Sequence, residues 1–211
     1  MAVWAPRHEF LHKYFEQEFQ RDIVTDPVNA TDRKTCFLIL DSKDGENEDV
    51  RTFRDKCQTH GCRLITLRLP AVVGTGMGDP VMKLAKNIAR GTMFKIKENN
   101  PVWSVIHATD VARLARVIME RDLNKDVDIV VPGTQIQLHD LIDALAYRMG
   151  DKKIGTLKYK FARLFFRPAL LNIMTQNKVV ENPDFTTIAA EFKFTDPADY
   201  LKTHVYDENS L

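Results

Sequence analysis

With 211 residues the chain is long enough for one large domain, or for a core with a smaller lobe. Its 44% hydrophobic and 28% charged content is ordinary for a soluble globular protein. Thirty basic residues against 29 acidic leave a formal net charge of +1, so the chain-wide charge gives no reason to expect nucleic acid or a membrane as a partner.

Cys36, Cys57 and Cys62 form neither an even set nor a ligand spacing, and are expected to be the reduced thiols of an intracellular protein. The opening residues are soon followed by charges and show no signal-peptide core. No apolar run approaches the roughly 20 residues that cross a bilayer. The expected location is the cytoplasm. On that expectation the sequon at Asn29 is a chance match.

From His8 to Gln20, the residues Phe10, Leu11, Tyr14, Phe15 and Phe19 are spaced for one face of a helix. A polar stretch, 21–34, reads as loop. Thr35 to Leu40 is apolar on both faces, as a strand between two helical layers is. Helical spacing returns from Glu46 to His60 through Val50, Phe53 and Cys57, and Gly61 stands where a helix stops. A second strand runs from Arg63 to Leu69, closed by Pro70. The glycine cluster of Gly74, Gly76 and Gly78 then leads to a helix expected to open with Asp79 as N-cap and Pro80 as its first residue. Its inner face is Val81, Leu84, Ala85 and Ile88. Trp103–His107 is a strand, Asp110–Arg121 a helix, Val127–Val131 a strand, and Leu138–Met149 a helix ended by Gly150. This alternation from 35 to 150 predicts an α/β fold with a parallel sheet of right-handed βαβ units. The stretch after Gly150 predicts a mainly helical lobe, broken at Arg167 and Pro168. The expected organisation is an N-terminal helix and loop (1–34), a partial Rossmann-like core (35–150) and a helical lobe (151–211).

Two segments carry a resemblance. Leu67 to Gly74 reads Leu-Arg-Leu-Pro-Ala-Val-Val-Gly, and Ser104 to Ala112 reads Ser-Val-Ile-His-Ala-Thr-Asp-Val-Ala. In order and spacing they resemble the extended short-chain dehydrogenase/reductases, the NAD-dependent epimerase/dehydratase family, over roughly Thr35 to Met149. There Leu-Arg-x-x-x-Val-Tyr-Gly precedes the sugar-binding lobe, and Phe-Val-His-Val-x-Asp-Val-Ala returns the chain to the core. The resemblance implies a sugar-nucleotide substrate and an NAD(P) cofactor. It makes this chain similar to the C-terminal half of such a protein, with strands equivalent to the family's fifth, sixth and seventh.

The departures bear on function. The family's Gly-x-x-Gly-x-x-Gly turn, which lets a pyrophosphate reach a helix N-terminus, has no counterpart in residues 1–60, where Gly45 is the lone glycine. The cluster at Gly74–Gly78 is read as a flexible turn, ahead of a phosphate grip. The family's Tyr-x-x-x-Lys places a phenol beside an ammonium that lowers its pKa for proton transfer. Those positions fall on Ser42 and Glu46, or, shifted, on Ile39 and Lys43; neither register gives the pair. The family's substrate-contacting Asn and Tyr correspond to Ala71 and Val73.

Arg68 is read either as a phosphate contact or as an ion pair anchoring its strand. His107 and Asp110 are read as architectural, with Asp110 capping a helix. Lys152, Lys153, Lys158, Lys160, Arg163 and Arg167, interleaved with Tyr159, Phe161, Phe165 and Phe166, would suit anionic sugar nucleotides, a membrane surface or a protein. The plainer reading, placed first, is a solvated basic face with the aromatics packed inward. Met174, Phe192, Phe194 and Tyr200 are assigned to the lobe's own core.

The function expected is that of a truncated, non-catalytic epimerase/dehydratase-like protein with a residual sugar-nucleotide-binding or assembly role. Two alternatives stand beside it: an enzyme completed by a separate Rossmann half, and a protein-interaction module. No catalytic, cofactor-binding or metal residue is assigned, and no cofactor is expected on the isolated chain. The substrate-contacting candidates are Arg68, Pro70, Ala71, Gly74 and His107. Thr35–Leu40 is expected to be a bare sheet edge, satisfied by a homodimer, by a complementing chain or by the His8–Gln20 helix.

Overall fold

The computed structural model describes residues 1–6, 9–20, 35–43, 45, 47–74, 80–121, 126–185, 187 and 192–197. Strand β1 (Ala2–Trp4) leads through a 3-10 turn (Glu9–Leu11) to helix α1 (His12–Phe19), then β2 (Thr35–Asp41), α2 (Glu48–Thr59), β3 (Arg63–Leu69) and β4 (Ala71–Val73). Next come α3 (Val81–Ala89), β5 (Phe94–Ile96), β6 (Val102–His107), α4 (Ala108–Glu120), β7 (Val127–Val130) and β8 (Thr134–Gln137). The chain continues as α5 (Leu138–Arg148), β9 (Gly155–Leu157), α6 (Tyr159–Phe165) and α7 (Pro168–Thr175). Its described residues form two compact units: one from Met1–Pro70, Ala108–Pro132 and Glu181–Lys193, the other from Ala71–His107, Gly133–Val180 and the residues from Phe194 on.

The first unit is a four-stranded, all-parallel sheet in the order β1-β2-β3-β7. Cys36 to Leu40 are all buried, as the apolar run of β2 requires of a strand covered on both faces. On one face α2 contributes Val50, Phe53 and Cys57 to a cluster with Cys36, Leu38, Leu40 and Leu64. On the other, Phe15 of α1 meets Phe37 at 5.9 Å between ring centroids, and α1 also packs on α4. Successive strand residues point to opposite faces, so α1 and α2 lie on opposite sides of β2. Helix α2 starts two residues later than its spacing suggests, because Asn47 caps it, accepting a hydrogen bond from the Val50 N–H at 2.9 Å. It stops where expected: Gly61 has φ +63°, a conformation that costs glycine nothing.

The bare edge expected at Thr35–Leu40 does not exist. Residues 2–4 form β1 and pair with β2 in parallel, Ala2 with Cys36, Val3 with Phe37 and Trp4 with Leu38. Helix α1 covers a face of β2 rather than its edge. Three buried or half-buried apolar residues were too short a run to register as a strand beside the stronger helical pattern that follows.

The second unit is built on β6, with β4 parallel on one side and β8 antiparallel on the other; β5 and β9 make a separate parallel pair. Its core joins Val81, Leu84, Ala85 and Ile88 of α3, the face expected from sequence, to Leu138, Leu141, Ile142 and Leu145 of α5 around the fully buried Trp103. The Trp103 indole N–H donates to the Gln176 carbonyl at 3.3 Å. Pro80 occupies the N-cap place and Val81 is the first helical residue, a correction of one position; Asp79 lies outside the described residues. Arg167 and Pro168 break the helical stretch as expected, with Pro168 opening α7.

The aromatics of α6 do not pack inward. The helix buries only Ala162, while Phe161, Leu164 and Phe165 are 46%, 77% and 70% exposed. Its apolar residues make two stripes, and a two-turn helix can turn one of them to the core. Ala162 and the following Phe166, four apart, take the core side, where Phe166 meets Phe94 at 6.3 Å. Met174 is buried, but in the second unit's shared core with Trp103 rather than in a separate core of the 151–211 lobe; Phe192 and Phe194 are half-buried and fall in different units, and Tyr200 lies outside the described residues.

Candidate functional site

In open α/β sheets ligands bind outside the carboxyl ends of the strands. In the first unit those ends are at Trp4, Asp41, Leu69 and Val130, and the Ser42 N–H donates to the Leu69 carbonyl at 2.7 Å, tying the exits of β2 and β3 together. Two of the sequence candidates lie here. Pro70 is buried at the end of β3. Arg68 is gripped by Asp128 of β7: its Nε donates to Oδ1 at 2.9 Å and its Nη2 to Oδ2 at 3.1 Å. Arg54 of α2 donates to the same Oδ2 at 3.0 Å. The ion pair set out as one of the two roles for Arg68 is present. A planar fork matched bidentately to a carboxylate fixes its direction, and the second arginine ties helix to sheet. Sequence inspection missed Asp128 and Arg54, since only the pairing of Thr66 with Asp128 across β3 and β7 brings them to Arg68.

The positions matched to the tyrosine and lysine do not meet on a helix. Ile39 is buried within β2, Ser42 and Lys43 lie in the turn after it, and Glu46 lies outside the described residues. Helix α2, which follows β2, reads Glu-Asp-Val-Arg-Thr-Phe-Arg-Asp-Lys-Cys-Gln-Thr and holds no tyrosine.

Ala71, Gly74 and His107 fall in the second unit. Strands β4 and β6 run parallel and end together, with Val73 opposite His107. Gly74 follows with φ +147°, a backbone that favours glycine. His107 is 3% exposed, placed by the register rather than by solvent access. The glycines at 76 and 78 lie outside the described residues.

Asp110, in the first unit, is fully buried and accepts from Arg113 Nη1 at 2.8 Å. It was expected at the N-cap. Helix α4 begins two residues earlier, at Ala108, and puts Asp110 within the first turn, where a carboxylate still meets the positive end of the helix dipole.

Two further groups went unforeseen. The three cysteines, all buried and free, converge on the α2 face: the Cys36 thiol is pushed up by hydrogen bonding to Cys57 and by burial, and Cys57 is drawn down by the same bond. Nothing in spacings of 21 and 5 residues shows that a strand, a helix and a loop bring them together. In the second unit, His139 is pushed below the usual imidazole value by burial and by the Lys95 ammonium, against the opposing pull of Asp143 and Asp140. Among the described residues no group of three or more His, Cys, Asp or Glu is arranged to hold a metal ion.

No family model and no curated protein matches the sequence. Solved structures do match the fold. UDP-N-acetylglucosamine 4-epimerase from Bacillus cereus aligns over 95% of this chain and 96% of its own, at 8% identity and a TM-score of 0.58. MoeE5, solved with UDP-glucose and NAD, aligns over 97% of each chain at 11% identity and a TM-score of 0.60. UDP-glucose 4-epimerase from Thermotoga maritima, solved with UDP-glucose, aligns over 85% of this chain and 65% of its own at 14% identity, with a TM-score of 0.54. The likeness is to the α/β fold of NAD-dependent UDP-sugar epimerases. In the first two cases it runs along nearly all of both chains, and so does not single out a C-terminal half.

Proposed function

We propose that this chain is a non-catalytic relative of the NAD-dependent epimerases and dehydratases, one that keeps a place for a sugar nucleotide and does not carry out the redox step. The observation that carries the proposal is α2: the helix after β2 holds no tyrosine, and the turn before it holds Ser42 and Lys43 but no phenol. That helix and turn therefore lack the phenol that the family's proton transfer to and from a sugar hydroxyl uses.

The cofactor that the fold family implies does not fit the described residues of the first unit. A dinucleotide needs a bare, glycine-lined turn between a strand and a helix N-terminus. The connection from β1 toward α1 reads Ala-Pro-Arg-His, and that from β2 to α2 has Gly45 alone. One cation near the strand ends, Arg68, is paired with Asp128. In this reading β1-β2-β3-β7 stand in the family's fourth to seventh sheet positions, a placement supported by their unbroken parallel order.

For the sugar nucleotide, the reading assigns the exits of β4 and β6 in the second unit, with Ala71, Gly74 and His107 as contacts. Support comes from their shared carboxyl end and from Gly74, whose backbone no Cβ shields. Arg68 and Pro70 serve as supports of the first unit's sheet. The test is calorimetric titration with UDP-glucose and UDP-N-acetylglucosamine, alongside a turnover assay with NAD supplied. The expected result is saturable binding, weakened by Gly74→Val, with no turnover. Turnover above background would overturn the non-catalytic reading; absence of binding to either sugar nucleotide would overturn the retained site.

A further inference from the structure

The chain-wide charge balance conceals a local extreme. Residues 152–180 hold seven of the 30 basic residues and none of the 29 acidic ones, leaving 23 basic against 29 acidic elsewhere. This stretch includes α6 and α7 of the second unit, and on α6 it presents Phe161, Leu164 and Phe165 to solvent. Positions i, i+3 and i+4 of a helix are neighbours, so these three side chains form one continuous convex ridge. Cations flank it: Lys158 precedes the helix, Lys160 holds its ammonium 5.0 Å from the Phe161 ring centre, and Arg163 and Arg167 stand beside Leu164 and Phe165.

Beside the ridge is a cavity of about 640 Å³. Phe165, Phe166 and Leu170 form its apolar wall with Phe94, and Lys83, Arg90 and Arg167 supply three positive charges with no carboxylate among the lining residues. A cavity with apolar walls and a cationic lining suits a ligand with an anionic head and an apolar body.

We propose that the second unit docks on the surface of an anionic phospholipid bilayer. In this arrangement the Phe161-Leu164-Phe165 ridge enters the headgroup region, and the cavity lined by Arg90 and Arg167 accepts a lipid phosphate. Three features of this surface agree on this occupant. The ridge is convex and aromatic-aliphatic, a shape that inserts into a fluid interface and is poorly suited to gripping a partner. The flanking charge is predominantly positive, with Lys158, Lys160, Arg163 and Arg167 against Glu98 at the start of α6, and so complements anionic headgroups. The cavity adds Arg90 and Arg167 as cationic partners for a headgroup phosphate at the same place. Attachment is at the surface, since among the described residues no helix is long and apolar enough to cross a membrane.

The experiment is co-sedimentation of the full chain with vesicles of phosphatidylcholine alone and of phosphatidylcholine with phosphatidylglycerol. The expected result is binding to the anionic vesicles only, released by high salt. The double substitution Leu164→Ser, Phe165→Ser should weaken it by at least roughly tenfold, since each side chain withdraws apolar area from the interface. Arg90→Gln with Arg167→Gln should weaken it roughly tenfold as well, by removing two charges near the surface. Because Leu164, Phe165 and Arg167 lie on the surface and Arg90 is exposed, these variants should keep the parent's circular dichroism and melting temperature. Equal binding to neutral and anionic vesicles, or no binding to either, would overturn the proposal. So would light scattering that shows a concentration-dependent dimer abolished by the Leu164 and Phe165 substitutions, which would assign the ridge to a second copy of the chain.

Discussion

Removing residues 1–4 should uncover β2, and the consequences can be worked from the structure. Val3 is fully buried, and burying a valine contributes about 1.5–3 kcal/mol. Trp4 is half-buried with its ring 4.9 Å from Phe53, an aromatic pair contributing about 0.5–1.5 kcal/mol beyond its area. Adding Trp4's own partial burial and the fully buried Ala2 brings the total to roughly 4–6 kcal/mol, an upper figure because the unfolded chain already hides some of this surface. A domain of this size loses about 2–4 °C in Tm per kcal/mol, so the truncated chain should melt roughly 10–20 °C below the parent. Truncation also recreates the apolar edge of Cys36 to Leu40, which pairs readily with another chain. Scanning calorimetry gives the first quantity, and multi-angle light scattering across a concentration series gives the second. The expected outcome is a destabilised protein that self-associates, while the intact chain does not do so through β2. A truncated chain with unchanged Tm and unchanged mass would refute the reasoning, because β1 would then contribute nothing to the sheet.

Asp110→Ala should destabilise by about 2–3 kcal/mol, since it removes a charge-assisted bond and a carboxylate from the first turn of α4; urea unfolding checks it, and a loss under about 0.5 kcal/mol would show that the pairing with Arg113 is idle. Asp128→Ala releases two arginines at once but from a partly exposed site, so the loss should be nearer 1 kcal/mol, and should shrink when Arg68→Met is already present. For His139, the folded-state pKa is depressed, so the unfolded chain binds the proton first as pH falls; stability is therefore retained at neutral pH and declines on acidification below the ordinary imidazole value near 6.5. Urea midpoints at pH 7.5 and 5.5 should differ by less in His139→Gln than in the parent, and an equal difference would remove His139 from the explanation.

The sequence was most legible where a long element had a single buried pattern. The apolar runs of β2 and β3 and the inner face of α3 are each set by local spacing that tertiary structure did not override. Short strands escaped. β1, β4, β5, β8 and β9 have three or four residues each and owe their conformation to the neighbour they pair with, which no local window contains. The site was legible in the same uneven way. The missing tyrosine could be counted, whereas the grip of Asp128 on Arg68 depends on the register between two strands 60 residues apart. The exposed ridge on α6 was hidden because a helix with two apolar stripes does not announce which one the core takes.

We propose that this chain, whose α/β fold is shared with UDP-sugar epimerases, does not hold a dinucleotide in its first unit. Calorimetric titration of the intact chain with NAD, and separately with NADP, tests it most directly. With no glycine-lined turn among the described residues of the first unit and with Arg68 engaged by Asp128, the dissociation constant should be about 1 mM or weaker for both. Saturable one-to-one binding in the micromolar range would contradict the claim, and would make Gly74 and the two glycines that follow it the first place to look for the phosphate site.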